Sequence, residues 1–268
     1  MSDQQRDKWD QLGVFIEELM NEMGIPGIAV GMMQKGETST AGFGVTNVDH
    51  PLPVTPETLF QIGSITKTFT ATVIMRLVEM EMVELDTPVR SIVPDFRVMD
   101  EKATSQVTVR QLLTHTSGWV GDFFEDTGAG EDALQRYVVK MAGLKQLAPL
   151  GRAFSYNNAG FALAGRIIEL VTGQSYEAAL RELLLEPLGL AQIFLNGGDV
   201  MTYRFACGHR EGEKGAMVAR PWPLPRYVGA LGGIICGLPA LLEYARFHLG
   251  DGGAPDGAKL LSEESLRQ

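Results

Sequence analysis

The stretch LFQIGSITKTFTA (residues 59–71) sets a serine, Ser64, and a lysine, Lys67, three positions apart at the head of an apolar, threonine-rich run. Residues three apart on a helix are neighbours on one face. A helix opened by Ser64 and running to about Met82 therefore sets the Lys67 amine beside the Ser64 hydroxyl. A serine is a weak nucleophile until a base takes its proton. Lysine serves as that base only where its pKa is drawn down, and burial and the positive end of the helix dipole both act in that direction. The helix start also aims backbone N–H groups outward, where an oxyanion is stabilised. Alone, S-x-x-K recurs by chance roughly once in a chain of this size. A serine N-cap followed by a solvated lysine writes the same letters.

Before this helix, residues 9–23 place Leu12, Phe15, Ile16, Leu19, Met20 and Met23 at helical spacing. Two short apolar runs flanking QKGE predict a β-hairpin within about 26–47. After it, TVRQLLTHTSGWV predicts a short helix from Thr108, ended at Ser117-Gly118. Further helices are expected over 131–147, from about Asn158 to Val171, over 175–186 and over 238–249, with 190–233 irregular and holding short strands.

The chain has 268 residues, 45% of them hydrophobic, which suffices for one large core. Its formal net charge of −10 argues against nucleic acid and anionic membrane as partners, because both require a basic face. The first residues lack the basic start and apolar core of a signal peptide, and no apolar run reaches the length of a membrane span, so a cytoplasmic location is expected. Two cysteines, Cys207 and Cys236, make no disulfide framework and read as reduced structural residues. No metal or organic cofactor is implied. His209 and His248 lack metal-ligand spacing, and His115 reads as a loop-fixing histidine.

A second constellation is FSYNNAG, residues 154–160. In its plain reading Asn158 caps a helix and Tyr156 is a half-buried aromatic. In its chemical reading the Tyr156 hydroxyl relays a proton between nucleophile and leaving group, while the Asn158 amide binds substrate and Lys67. The two constellations together resemble the penicillin-recognising serine hydrolases of the class C β-lactamase type, a family that also holds D,D-carboxypeptidases, D-aminopeptidases and esterases. SITK at Ser64–Lys67 matches its S-x-x-K motif and YNN at Tyr156–Asn158 its Y-x-N motif. LLTHTSGW at 112–119, GFALAGRIIELVTGQSYEAALRELLLEPLGL after the second motif, and ALGGIICGLPALLEYARFHL resemble further family segments.

The resemblance implies an α/β fold of the α+β type: an antiparallel sheet flanked by helices, plus a mostly helical lobe. One domain over 10–268 is expected, with 10–60 in the sheet lobe, 61–225 mostly helical and 226–268 returning toward the sheet lobe, incomplete. The family's third motif, K-T-G or H-x-G, has no match. HTSG at 115–118 belongs to the earlier helix–loop, and GHREG at 208–212 precedes the last helix. The chain is therefore expected to be the N-terminal part of a longer protein, with the C-terminal strands beyond it. The implied function is a serine hydrolase working through an acyl-enzyme on a small ester, peptide or β-lactam. Ser64 is the nucleophile, Lys67 and Tyr156 share the proton, and Asn158 binds substrate. The lack of a leader favours an esterase or peptidase with weak β-lactam activity. The alternative is a non-catalytic penicillin-binding-like sensor or an inactive fragment.

Overall fold

The structure, a computed structural model, describes residues 3–213 and 215–268, with side chains from Trp9 onward. Met1 and Ser2, in the stretch read for a leader, and Lys214, in the stretch read as irregular, lie outside the described residues. In chain order the helices are α1 (Asp3–Met23), α2 (Thr66–Glu79), α3 (Val89–Ile92), α4 (Glu101–Gln106), α5 (Val109–Leu113), α6 (Ala133–Lys140), α7 (Asn158–Thr172), α8 (Tyr176–Leu180), α9 (Gly229–Gly232), α10 (Leu238–Leu249) and α11 (Glu263–Arg267). The strands are β1 (Gly27–Gln34), β2 (Glu37–Gly44), β3 (Phe60–Gln61), β4 (Ile193–Phe194), β5 (His209–Gly212), β6 (Gly215–Val218) and β7 (Ile235–Cys236). This is the expected mixture of helices and antiparallel strands.

The chain divides into two units. The first is built from the stretch ending at Gln61, Gln192–Pro223 and Ile235–Arg246. Its hairpin pairs β1 with β2 from Gly27↔Gly44 to Gln34↔Glu37. The turn residues Lys35 (φ 50°) and Gly36 (φ 84°) are both left-handed. Such a two-residue turn twists the way paired strands do, which fixes the register. A second sheet has the order β3-β7-β4, antiparallel throughout. Against it Leu59, Val200 and Ile235 form a buried cluster with Phe194, Phe205 and Trp222. His209–Gly212 of GHREG form β5, which pairs with β6. Both cysteines are free thiols, Cys207 half-buried and Cys236 buried in β7.

The second unit comprises Ile62–Ala191, Leu224–Ile234 and Phe247–Gln268. Helix α2 lies at its centre, packed by α7, α8 and α9. Nine of its residues, from Thr66 to Leu77, are buried, so it is enclosed nearly all round. Threonine is a modest helix former. Tertiary packing carries such a helix, and its hydroxyls fold back onto the backbone: Thr68 Oγ1 donates to Ile65 O (2.8 Å) and Thr72 Oγ1 to Thr68 O (2.9 Å).

Two local expectations are corrected. The helix foreseen over 131–147 begins at Ala133 and closes in a 3₁₀ turn at Met141–Gly143. Residues beyond it are drawn into an extended pairing with 118–120, through Val120 N–H to Lys145 O (3.0 Å) and Leu147 N–H to Gly118 O (2.7 Å). Helix α7 is capped by Asn157, not Asn158. Asn157 has extended backbone angles (φ −136°, ψ 101°), and its side chain accepts from Gly160 N–H at 2.7 Å.

Candidate active site

All four residues singled out from the sequence lie in the second unit. Ser64 sits in a 3₁₀ turn, Gly63–Ile65, that feeds directly into α2. The turn is pinned by Ile62 N–H to Ile234 O (3.0 Å), and Thr66 Oγ1 accepts from Ile234 N–H (3.1 Å). The Ser64 side chain is exposed while Lys67, one turn on, is only 4% exposed. Lys67 Nζ lies 3.1 Å from Ser64 Oγ and donates to Leu231 O at 2.7 Å. The i,i+3 spacing has thus put a buried amine against an accessible hydroxyl.

Helix α9 supplies the Leu231 carbonyl, which sequence reasoning did not pick out. Its approach depends on Gly165 of α7, where a Cβ would come within 2.5 Å of the Ala230 Cβ. Thr70 Oγ1 adds a bond to Ala230 O at 2.6 Å. Ala230, the residue before that carbonyl, is therefore held from two sides.

Burial lowers the pKa of Lys67, and that outweighs the opposing pull of the Tyr156 hydroxyl and of the Tyr156 and Asp122 charges. The amine stands 4.8 Å from the Tyr156 ring centre and 5.7 Å from that of Phe161. Tyr156 itself is 44% exposed. His115 packs on its ring at 4.6 Å between centroids and on Phe161 at 5.1 Å.

His115 has a left-handed backbone (φ 56°), and its Nδ1 accepts from Asn157 N–H at 2.9 Å. Burial, with the Lys67 charge added, keeps its pKa low, so the ring is neutral with its proton on Nε2. This is a loop-fixing histidine, as the sequence suggested: it supports the Tyr156 ring and the peptide after it.

Asn158 is buried and starts α7. Its Nδ2 donates to Asp122 Oδ1 at 2.8 Å, whereas the sequence reading had the amide reaching Lys67. Its neighbour Asn157 is wholly structural, donating to Ser117 Oγ (3.2 Å) and Trp119 O (3.0 Å). Asp122 was not foreseen. It lies 36 positions before Asn158 in an irregular loop, where no periodicity flags it. Among the described residues no group of three or more His, Cys, Asp and Glu side chains is placed to hold a metal ion. No described helix is long and apolar enough to cross a membrane.

Comparison with known proteins gives the family of the chain. The beta-lactamase family model matches residues 14–268. The chain belongs to the beta-lactamase family. That family includes serine hydrolases, among them penicillin-binding proteins, β-lactamases and esterases. The chain is 39% identical over 252 residues to penicillin-binding protein 4 of Amycolatopsis lactamdurans, covering 93% of this chain and 66% of that one. Among solved structures it is similar to the octameric penicillin-binding protein homologue from Pyrococcus abyssi (TM-score 0.80, 32% identity, covering 96% of this chain and 59% of that one). It is also similar to the class C β-lactamase from Rhodobacter sphaeroides (TM-score 0.76, 25% identity, covering 95% and 68%). The chain thus spans 66% of the curated relative's length and 59% of the Pyrococcus chain's. The shared fold is the α/β fold of that family, helices with antiparallel sheets.

Proposed function

We propose that the protein is a serine hydrolase that acts through an acyl-enzyme on a small ester, amide or β-lactam. The observation that carries this reading is the 3.1 Å approach of the buried Lys67 amine to the exposed Ser64 hydroxyl. In its neutral form Nζ accepts the Oγ proton while Oγ attacks the carbonyl carbon. The C–O bond forms and the carbonyl electron pair moves onto oxygen, where the Ser64 N–H at the helix start stabilises it. Lys67, with Tyr156 as relay, returns the proton to the departing oxygen or nitrogen as the tetrahedral intermediate collapses. Asn158, held by Asp122, positions the substrate. Water then attacks the ester on Ser64 and gives its proton back through the same pair, so the acid leaves and Ser64 regains its hydrogen. β-Lactams join the substrate class because a relative bears the name penicillin-binding protein. In this reading the domain extends over 10–268 and no metal or cofactor takes part.

The test is covalent labelling. The protein is treated with a fluorophosphonate and with a fluorescent penicillin, and the adduct is mapped by mass spectrometry. Modification is expected on Ser64 and lost in Ser64→Ala. Labelling elsewhere, or labelling that survives the substitution, overturns the assignment.

A further inference from the structure

The loop that carries Asp122 is fastened on both sides of it. Gly121 is buried, and a Cβ there would strike the Tyr156 carbonyl oxygen. Its own carbonyl accepts from Ala159 N–H at 3.0 Å. On the other side the Phe123 carbonyl accepts from Tyr137 Oη at 2.6 Å, and the Phe123 ring lies 5.2 Å from that of Tyr137. Between these anchors the Asp122 side chain is exposed, yet its position is set.

One carboxylate oxygen of Asp122 accepts from Asn158. A neutral amide oxygen would serve Asn158 equally well, and a carboxylate offers about four acceptor directions, so the charge and most of the acceptor capacity remain unused. The nearby acidic side chains of the loop are otherwise engaged: Glu125 pairs with Lys140 at 3.0 Å and Asp126 accepts from Gly128 N–H at 2.8 Å. No cation is paired with Asp122 among the described residues. Its field instead reaches Lys67, where it favours the ammonium and so works against the base that burial creates. An anion that holds Asn158 no better than an amide would, and that opposes Lys67, needs another use. The use that fits its place on the rim beside Asn158 and Tyr156 is to receive a positive charge from the substrate.

We infer that Asp122 is a specificity-determining residue that makes the site prefer carbonyl substrates bearing a cationic group, such as an ammonium, a few atoms from the bond to be broken. The inference rests on the hydrolase reading above and names its substrate class. A fixed, exposed carboxylate a few ångströms from a substrate cation gives a preference of about tenfold, screened as salt is added.

The test uses two p-nitrophenyl esters of the same shape: the γ-(trimethylammonio)butyrate and its tert-butyl analogue, in which carbon replaces the nitrogen. The wild type is expected to show a kcat/KM about tenfold higher for the cationic ester at low salt, narrowing in high salt. Asp122→Asn, which keeps an acceptor oxygen for Asn158, should bring the ratio of the two kcat/KM values to about one. Asp122→Ala separates the two duties of the residue, because it should lose the same preference and also slow both esters. Equal kcat/KM for the two esters in the wild type overturns the inference, as does a preference that survives in Asp122→Asn. Fluorophosphonate labelling of Ser64 is run alongside. Labelling with no charge preference sinks this inference alone. No labelling and no turnover of either ester sinks the hydrolase reading and this inference with it.

Discussion

Gly121→Ala puts one methyl group where the structure has no room for it. The Cβ would meet the Tyr156 carbonyl oxygen in hard contact and lie 2.8 Å from the Asn157 Cα, with the Asn157 Cγ at 3.2 Å. Ordinary contacts of this kind begin at about 3.4 Å, so the two segments must part by roughly half an ångström or more. Neither neighbour is a flexible side-chain tip. Asn157 is tied by its N–H to His115 Nδ1 (2.9 Å) and by its amide to Ser117, Trp119 and Gly160. Overpacking against backbone costs about 1–3 kcal/mol. The displaced groups are the Tyr156 carbonyl and Asn157, next to Asn158, whereas Ser64 in its 3₁₀ turn and Lys67 on α2 are not among the clashing neighbours. Misplacing a reacting group by about 1 Å costs about a hundredfold, so half that shift predicts a loss of about tenfold in kcat. The assay is kcat on a p-nitrophenyl ester together with the urea midpoint. Gly143→Ala serves as the control, because a Cβ there meets nothing within 4 Å. Wild-type kcat and midpoint in Gly121→Ala would show that the 121–157 contact does not position Tyr156.

Tyr156→Phe keeps the ring on His115 but removes the hydroxyl, and should lower kcat by about a hundredfold, the usual size of a lost acid–base group, with folding retained by circular dichroism. If kcat is unchanged, Tyr156 only packs. Lys67 must be neutral to act as base, so kcat/KM should rise with pH through its titration, with a midpoint below the ordinary lysine value of about 10.4. Asp122→Asn removes an anion that favours the ammonium, so that limb should move to lower pH; an upward shift contradicts the placement of Asp122. Burial holds the pKa values of His115 and His248 low in the folded state. The unfolded chain therefore binds more protons, and stability present above about pH 6.5 should be lost progressively as pH falls below it. A urea midpoint that rises on acidification between about pH 7 and pH 5.5 would refute this, and His115→Gln should flatten the slope.

What was legible in the sequence follows the range over which each interaction acts. Ser64, in the 3₁₀ turn, and Lys67, in the first turn of the α2 that it feeds, are three residues apart, so their spacing alone forecasts the 3.1 Å approach. The hairpin turn was legible for the same reason, since Lys35 and Gly36 set its conformation locally. Asn157 and Asn158 are both good capping residues, and the choice between them is not local. Asn157 takes the cap because its amide also bridges to Ser117 and Trp119, and that turns Asn158 toward Asp122. The two-residue strands β3, β4 and β7 are too short to show alternation. Helix α6 ends early because the 118–120 segment claims the backbone of 145–147, a pairing that no pattern within 131–147 encodes. The carbonyl of Leu231 was illegible on principle, because a backbone oxygen leaves no letter in the sequence.

The threonines of α2 explain how a lysine survives buried in its first turn. Thr66, Thr70 and Thr72 present methyl groups to a buried surface while their hydroxyls bond Ile234 N–H, Ala230 O and Thr68 O. Valine would fill the same volume but leave those backbone groups without these partners, at about 1–3 kcal/mol for each one left unsatisfied. Serine would meet them but lose the methyl contacts. The wall around Lys67 is therefore both dry and fixed, and its dryness lowers the amine's pKa. Tyr156 supplies the opposing pull, through its ring face at 4.8 Å and its hydroxyl. A base that must later act as an acid needs both influences. With burial alone it would take the Ser64 proton too weakly, and with the phenol alone it would already hold a proton before Ser64 could give one up.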